Sequence, residues 1–378
     1  MRVTSLQLLH WRNFKAAKVD LTTRVFIVGP NASGKSNLLD AFRFLRDVAS
    51  IGGGLANAVE ARGGVKRVRC LAARKNPDVR LRVTLGDDSD PEQWTYELEF
   101  GANRQQRPVV RKEVVSYRGE ELKRRPDVDD ENDPVRLTQT ALEQVTENRS
   151  FRNIADFLSS IQYLHLVPQL VREPDRSINH PNDPFGGDFL QQIASVNQRT
   201  RAARLRRINE ALRFAVPQLE NLDLQQDRAG RWHLRGKYQH WRAPGAWQDE
   251  SDLSDGTLRL IGLLWTVLDT GGPLLLEEPE LSLHPEVIRF LPALFAKAQS
   301  SSLRQVLIST HSPDLLYDEG IGLDEVVVLR PGPEGTTVHK ASQISDALVL
   351  LRGGTTLPEL LAAETRPAQV SQLALFQP

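Results

Sequence analysis

The segment Gly29-Pro30-Asn31-Ala32-Ser33-Gly34-Lys35-Ser36 fits the pattern G-x-x-x-x-G-K-[ST], and its flanks leave it few folds. Val25 to Val28 is an unbroken apolar run of strand length, and Asn37 to Leu45 carries apolar residues at helical spacing. A buried strand that passes through a glycine-rich turn into a helix points backbone N–H groups at a helix N-terminus, where an anion is stabilised. Gly29 and Gly34 give the backbone room for close approach, with Asn31, Ala32 and Ser33 forming the loop between them. In this pattern Lys35 reaches the β- and γ-phosphates as a point charge, and the Ser36 hydroxyl is placed to ligate Mg2+. The expectation is a nucleoside-triphosphate loop inside an α/β fold.

Two distant segments bear on the same chemistry. Leu274-Leu275-Leu276-Glu277-Glu278-Pro279-Glu280 is an apolar strand that delivers carboxylates at its carboxyl end, as a Walker B element requires. Glu277 is expected to hold the metal through water, and Glu278 to orient or deprotonate the water that attacks the γ-phosphate. Leu253-Ser254-Asp255-Gly256-Thr257 precedes an apolar helix, Leu258 to Leu268, which sets Ser254, Asp255 and Gly256 at a helix N-terminus. Taken alone, that pattern is an ordinary serine N-cap.

Composition narrows the class. Formal charge is zero, 48 basic against 48 acidic residues, which argues against a chain that coats nucleic acid over its whole surface and leaves local basic patches open. Cys70 is the only cysteine, so an intrachain disulfide and a cysteine-rich metal site are excluded, and a reducing cytoplasm fits. Gln7, His10, Arg12 and Asn13 interrupt the apolar residues of the N-terminus and spoil a signal-peptide core. The apolar stretch from Leu260 to Leu268 is too short to span a bilayer core of about 30 Å. A soluble cytoplasmic protein that does not enter membranes is expected.

Along the chain, Val3 to Leu21 reads as two antiparallel strands around a polar turn, and residues 79–85, 94–100 and 109–119 as an antiparallel meander. The acidic stretch 126–134 reads as a solvated loop, and helical periodicity resumes over 138–160. A strand-like run at 161–167, a helical segment at 189–214 and a strand-prone segment at 219–247 follow. Residues 273–276 and 305–308 read as buried parallel strands, joined by a helix from Pro285, with a further strand at 325–329. The expected organisation is a composite core from 1–60 and 245–345, inserted β-rich and helical lobes at 61–244, and a tail at 346–378.

Taken together, GPNASGKSNLLDAF, LSDGTLRL, LLLEEPELSLHP and STHSPDLL resemble the ABC-type ATPases of the AAA_21 group, in the OLD-, RecF- and SMC-like branch. The resemblance implies an α/β P-loop NTPase of ABC-head type, with a β-rich lobe and a helical lobe inserted between the Walker A loop and the signature motif. It also implies ATP and Mg2+ as ligands. Ser254, Asp255 and Gly256 fall on the signature motif, which in that superfamily closes over ATP held by the other subunit, so a homodimer is implied. His311 matches the switch histidine that contacts the γ-phosphate, and Leu281 to Pro285 match the D-loop, although they depart from the transporter SALD pattern. Arg12-Asn13-Phe14 resembles the entry turn beside the base and phosphates. Asn37 stands where transporters carry Thr or Ser, and Glu277 where most such ATPases carry aspartate. Gln169, after Leu166-Val167-Pro168, is similar to the Q-loop glutamine that senses Mg2+, with Gln162 as its competitor.

OLD nucleases of this branch carry a TOPRIM domain with a D-x-D cluster, and no D-x-D follows Walker B here. Members of the group are often paired with a separate nuclease or toxin-like protein in anti-phage systems. The implied role is an ATP-gated sensor or scaffold with a separate effector. The alternative is a RecF- or SMC-like ATPase that binds DNA directly, through Arg199, Arg201, Arg204, Arg206 and Arg207 on a helix or through Lys123-Arg124-Arg125. A transporter subunit is disfavoured by LSDGT, by Glu277 and by the long β-rich insertion.

Overall fold

The protein is described from a computed structural model, which covers residues 1–73, 78–173, 183, 185–239, 246–302 and 304–366. The chain opens with β1 (Arg2–Trp11), β2 (Phe14–Asp20) and β3 (Arg24–Val28), and the glycine loop leads into α1 (Lys35–Ala49). Short helices α2 (Leu55–Glu60) and α3 (Val65–Val68) precede β4 (Val79–Gly86), β5 (Trp94–Ala102), β6 (Pro108–Tyr117) and β7 (Glu120–Arg125). Next come α4 (Val128–Asn132), α5 (Arg152–Ser159), β8 (Gln162–Leu164), α6 (Pro168–Arg172), α7 (Phe189–Ser195) and α8 (Gln198–Ala215). The ribbon β9 (Leu219–Gln226), β10 (Trp232–Tyr238) and β11 (Ala246–Gln248) leads to α9 (Asp255–Val267) and β12 (Leu274–Glu277). The described chain closes with α10 (Pro285–Ser302), β13 (Val306–Ser309), β14 (Val326–Arg330), β15 (Thr337–Lys340), α11 (Ala347–Arg352) and α12 (Leu357–Thr365).

The central sheet runs β15-β14-β3-β13-β12-β8, with every pairing parallel except β14 with β15. Its inner strands are buried on both faces, so they read as continuous apolar runs and not as alternating ones. Val25 and Ile27 of β3, with Leu275 and Leu307, pack into one core under α1. Phe26 and Val28, with Leu274, Leu276 and Ile308, pack into a second core against α8, α9 and α10. Both cores therefore hang on period-two alternation within the same strands. The antiparallel sheet runs β2-β1-β4-β5-β6-β7, so the opening hairpin continues the meander. Gln305 ties this sheet to the central one, because its amide both accepts from Val3 N–H at 2.9 Å and donates to Val3 O at 2.7 Å.

Two local expectations are corrected. The acidic stretch 126–134 contains α4, whose start is a capping box in which Asp127 and Asp130 exchange backbone hydrogen bonds. Asp130 is buried and takes a two-pronged contact from Arg125, at 2.6 and 2.9 Å. Carboxylates in the first turn of a helix oppose its positive end, so an acidic run becomes a helix start once one member is paired. Over 138–160 only α5 is α-helical, because side chains capture the backbone before it. Glu113 accepts from the N–H groups of Ala141 and Leu142 at 2.7 and 3.1 Å, and Asn148 donates to Leu142 O at 2.9 Å.

Candidate active site

The glycine loop sits at the carboxyl end of β3, and three parallel strands deliver their chemistry to the same edge. Gly34 has φ +98, and a Cβ there would lie 2.2 Å from Asn13 Nδ2, so the position accepts only glycine. Asn13 holds the loop by donating to Ser33 O at 3.0 Å and to Thr336 Oγ1 at 2.7 Å, while its Oδ1 accepts from Asn37 at 2.8 Å. Asn31 and Ala32 are exposed at the loop tip, with Ala32 at φ +62, and Ser33 is fully buried beneath them. Lys35 is 7% exposed and its ammonium donates to Gly29 O at 3.0 Å and Pro30 O at 3.3 Å. Burial draws its pKa below the ordinary lysine value, against the opposing pull of Glu278, Glu280 and Glu277.

The Walker B strand lies next but one to β3, and its register sets Glu277 beside Ser309 at the end of β13. Ser36 Oγ donates to Glu277 Oε1, and the Tyr163 hydroxyl donates to Glu277 Oε2. His165 Nδ1 lies 3.2 Å from the Glu277 carbonyl, and Arg43 stacks on the Tyr163 ring at 4.2 Å. Burial and the facing carboxylate push the Tyr163 phenol above its ordinary pKa, which keeps it a donor. Glu278 adopts φ +45, a left-handed conformation unusual for glutamate, and its N–H donates to Ser309 O at 2.9 Å. His311 Nδ1 lies 3.0 Å from Glu278 Oε1. The two adjacent glutamates thus take separate partners, one the serine and the tyrosine, the other the histidine.

A hydroxyl and a carboxylate form a hard-oxygen pair of the kind Mg2+ takes when phosphates complete its shell. Among the described residues no cluster of three or more His, Cys, Asp or Glu is present. Beside the loop, a cleft of about 550 Å³ is lined by Arg12, Asn13, Asn37, Lys66, Arg67 and Arg69. Arg12 is engaged there by Asp40 at 3.0 Å and by Arg67 O at 3.2 Å.

Ser254 caps α9 by accepting from Thr257 N–H at 3.2 Å, and a Cβ on Gly256 would lie 2.5 Å from Ser282 O. The signature turn therefore packs on the residues after Walker B, and no hydrogen bond joins Ser254, Asp255 or Gly256 to residues 29–37. Gln169 is not brought to Glu277, because its amide donates to Asp255 at 3.3 Å and the same carboxylate pairs with Arg172 at 2.7 Å. Gln162 lies with Asp269 and Arg304 and also does not reach Glu277. The side chains that do are Tyr163 and His165, whose period-two spacing before Pro168 was the available signal. Thr336, which also donates to Ser33 O at 2.8 Å, had none.

A parallel sheet carrying a glycine loop, a paired-glutamate strand end and a strand-end histidine, with an antiparallel sheet alongside, defines the head of an ABC-type P-loop ATPase. The family model described as "AAA domain, putative AbiEii toxin, Type IV TA system" (AAA_21) matches residues 24–316, and the chain belongs to that family. The fold is also that of SMC heads. A head bound to the C-winged helix domain of ScpA aligns at TM-score 0.55 and 13% identity, covering 90% of this chain and 98% of that one. A head with an extended coiled coil from Pyrococcus furiosus, bound to the C-terminal domain of ScpA, aligns at 0.54 and 12%, covering 93% and 99%. A head with a coiled coil and joint from Pyrococcus yayanosii aligns at 0.53 and 10%, with the same coverage. No curated protein matches the chain significantly. Among the described residues no helix is long and apolar enough to cross a membrane.

Proposed function

We propose that the chain binds ATP with Mg2+, closes as a homodimer around it, and hydrolyses it slowly as a sensor or scaffold subunit with a separate effector. The observation that carries the reading is the division of labour between the two glutamates. Ser36 and Glu277 would hold Mg2+, which when bound neutralises charge on the β- and γ-phosphates. Lys35 gives up its contacts with Gly29 O and Pro30 O to face phosphate oxygens. Glu278 accepts the proton of the attacking water, and His311 fixes the carboxylate that does so. Ser254 and Gly256 lie unengaged by their own glycine loop, which supports their use by a second copy. The family description, which names a putative toxin of a type IV toxin–antitoxin system, supports pairing with a separate protein, and the anti-phage setting follows from the resemblance to the AAA_21 group.

Glu278→Gln tests the mechanism. It is expected to bind ATP, to slow hydrolysis by roughly 100-fold or more, and to accumulate an ATP-bound dimer visible by light scattering. If Glu277→Gln and Glu278→Gln behave alike, both losing metal and neither trapping a dimer, the assignment is wrong. Capture of a nuclease-like or toxin-like protein encoded beside the chain, only with ATP, tests the effector.

A second reading, direct DNA binding, rests on α8. Arg204 is occupied by Asp269 at 2.9 Å and Arg201 by the Ala194 carbonyl at 3.1 Å, so two of the five expected arginines are half-buried and engaged within the chain. Arg199, Arg206 and Arg207 remain exposed, and Arg213 joins them. Four phosphate contacts give a log–log salt slope of about −3.6 on duplex DNA. Charge reversal at these arginines should remove the binding, and its absence at low salt excludes this reading for the isolated chain.

A further inference from the structure

Between the Walker B glutamates and the switch histidine lies a carboxyl group that the scheme above leaves unused. Glu280 is 4% exposed, and its Oε1 accepts from Thr310 Oγ1 at 2.5 Å. Its Oε2 is buried without a hydrogen-bond partner. Burial raises the carboxyl pKa above the ordinary glutamate value, which favours the neutral acid. A buried carboxyl group with one oxygen left without a partner is unfavourable, and a side chain kept only to fill space there would be apolar.

The surroundings show what the bond to Thr310 does. Thr310 N–H donates to Ile27 O at 3.0 Å, and Thr310 Oγ1 accepts from Ser312 N–H at 3.0 Å while it donates to Glu280. Thr310 is thus the joint at which β13 turns into the segment carrying His311. A ring closes from Glu278 through Pro279 to Glu280, across to Thr310, along to His311, and back across to Glu278 Oε1 at 3.0 Å. His311 is itself exposed, so its backbone is held through Thr310, by the bond to Ile27 O, by the bond from Ser312 N–H and by the enclosed bond to Glu280. Glu278 at φ +45 and Ser282 at φ +64 bracket Glu280, so the same bond also steadies a turn with two left-handed non-glycine residues.

We infer that Glu280 is a positioning residue which, through its hydrogen bond with Thr310, holds His311 against Glu278 for the hydrolytic step. The inference rests on the ATPase reading above and adds a residue that touches neither substrate nor reacting atoms. The role assigned to Glu280 is that of a hydrogen-bond acceptor for Thr310 Oγ1, which the side-chain oxygen of glutamine can also fill.

The test uses full-length Glu280→Ala, Glu280→Gln and Thr310→Val. The readouts are ATP affinity by calorimetry, steady-state hydrolysis, and the nucleotide-free His311 ring resonances, assigned with His311→Gln. Glu280→Ala and Thr310→Val should each lower kcat by about 10-fold or more, with ATP affinity within about 2-fold, and should move the His311 resonances. Glu280→Gln should stay within about 3-fold of the parent, with unmoved resonances. An unchanged kcat in Glu280→Ala overturns the inference. So do a glutamine variant as poor as the alanine, or His311 resonances that stay put in both Glu280→Ala and Thr310→Val. A purely structural role would lower thermal stability and ATP affinity together, glutamine included. If Glu280→Ala fails to fold, Thr310→Val carries the comparison. If the parent does not hydrolyse ATP, the ATPase reading falls and the resonances alone decide the ring.

Discussion

Asn13→Ala separates a residue that touches the nucleotide from one that builds the loop around it. The side chain makes three hydrogen bonds, to Ser33 O, to Thr336 Oγ1 and from Asn37 Nδ2, all between 2.7 and 3.0 Å. At about 0.5–1.5 kcal/mol net for each bond, their loss spans roughly 1.5–4.5 kcal/mol. The group is part-buried and water replaces some of what is removed, so a value of about 2 kcal/mol is expected. If ATP must then order the loop itself, this cost appears in binding as roughly a 30-fold rise in Kd. Calorimetry with ATP and with GTP measures it, and both nucleotides should weaken by the same factor, because Asn13 bonds only to protein. A double-mutant cycle with Thr336→Val should return a coupling of about 1 kcal/mol. A Kd within about 2-fold of the parent refutes the buttress, and a loss for ATP alone would make Asn13 a base contact.

Lys35→Ala should abolish nucleotide binding or turnover, and full ATPase activity in that variant would refute the loop assignment. Tyr163→Phe removes the hydroxyl that fixes Glu277 Oε2, and should weaken metal affinity by about 10-fold in Mn2+ titrations followed by electron paramagnetic resonance, with metal-free ATP binding unchanged. Burial alone would raise the Asp40 pKa, but Arg62, with Arg43 and Arg12, outweighs it and holds the carboxyl below the ordinary 3.8. A depressed folded pKa contributes stability above pH 3.8 that is lost as pH falls through the folded value. Asp40→Asn should therefore unfold more easily at pH 7 and lose less on acidification below about pH 4, as read by denaturant midpoints across pH.

Residues with chemistry written into a contiguous pattern were legible, and those whose role comes from a neighbour far along the chain were not. The glycine loop, the strand that feeds it and the helix that leaves it are local. So are the apolar strands 274–277 and 306–309, which their lengths and β-branched or leucine content announce. The acidic stretch 126–134 misled because Asp130 pairs with Arg125, and a pairing turns solvated charge into a helix start. Gln169 misled in the opposite way, since a motif position did not carry its side chain to Glu277. Tyr163 and His165 carry only a faint mark in the sequence, one period-two step across the end of a three-residue edge strand.

By itself the sequence determined the class: a strand, a phosphate loop, a helix and two carboxylates at a distant strand end admit one family of parallel-sheet ATPases. The physical reason is that each of those motifs is closed by backbone geometry within about ten residues, where composition and periodicity act directly. Tertiary structure decided which glutamate meets which partner. Residues 277 and 278 are adjacent and chemically identical, and only the parallel register with Ser309, the left-handed turn at Glu278 and the convergence of Ser36, Tyr163 and His311 from three other elements give them different partners.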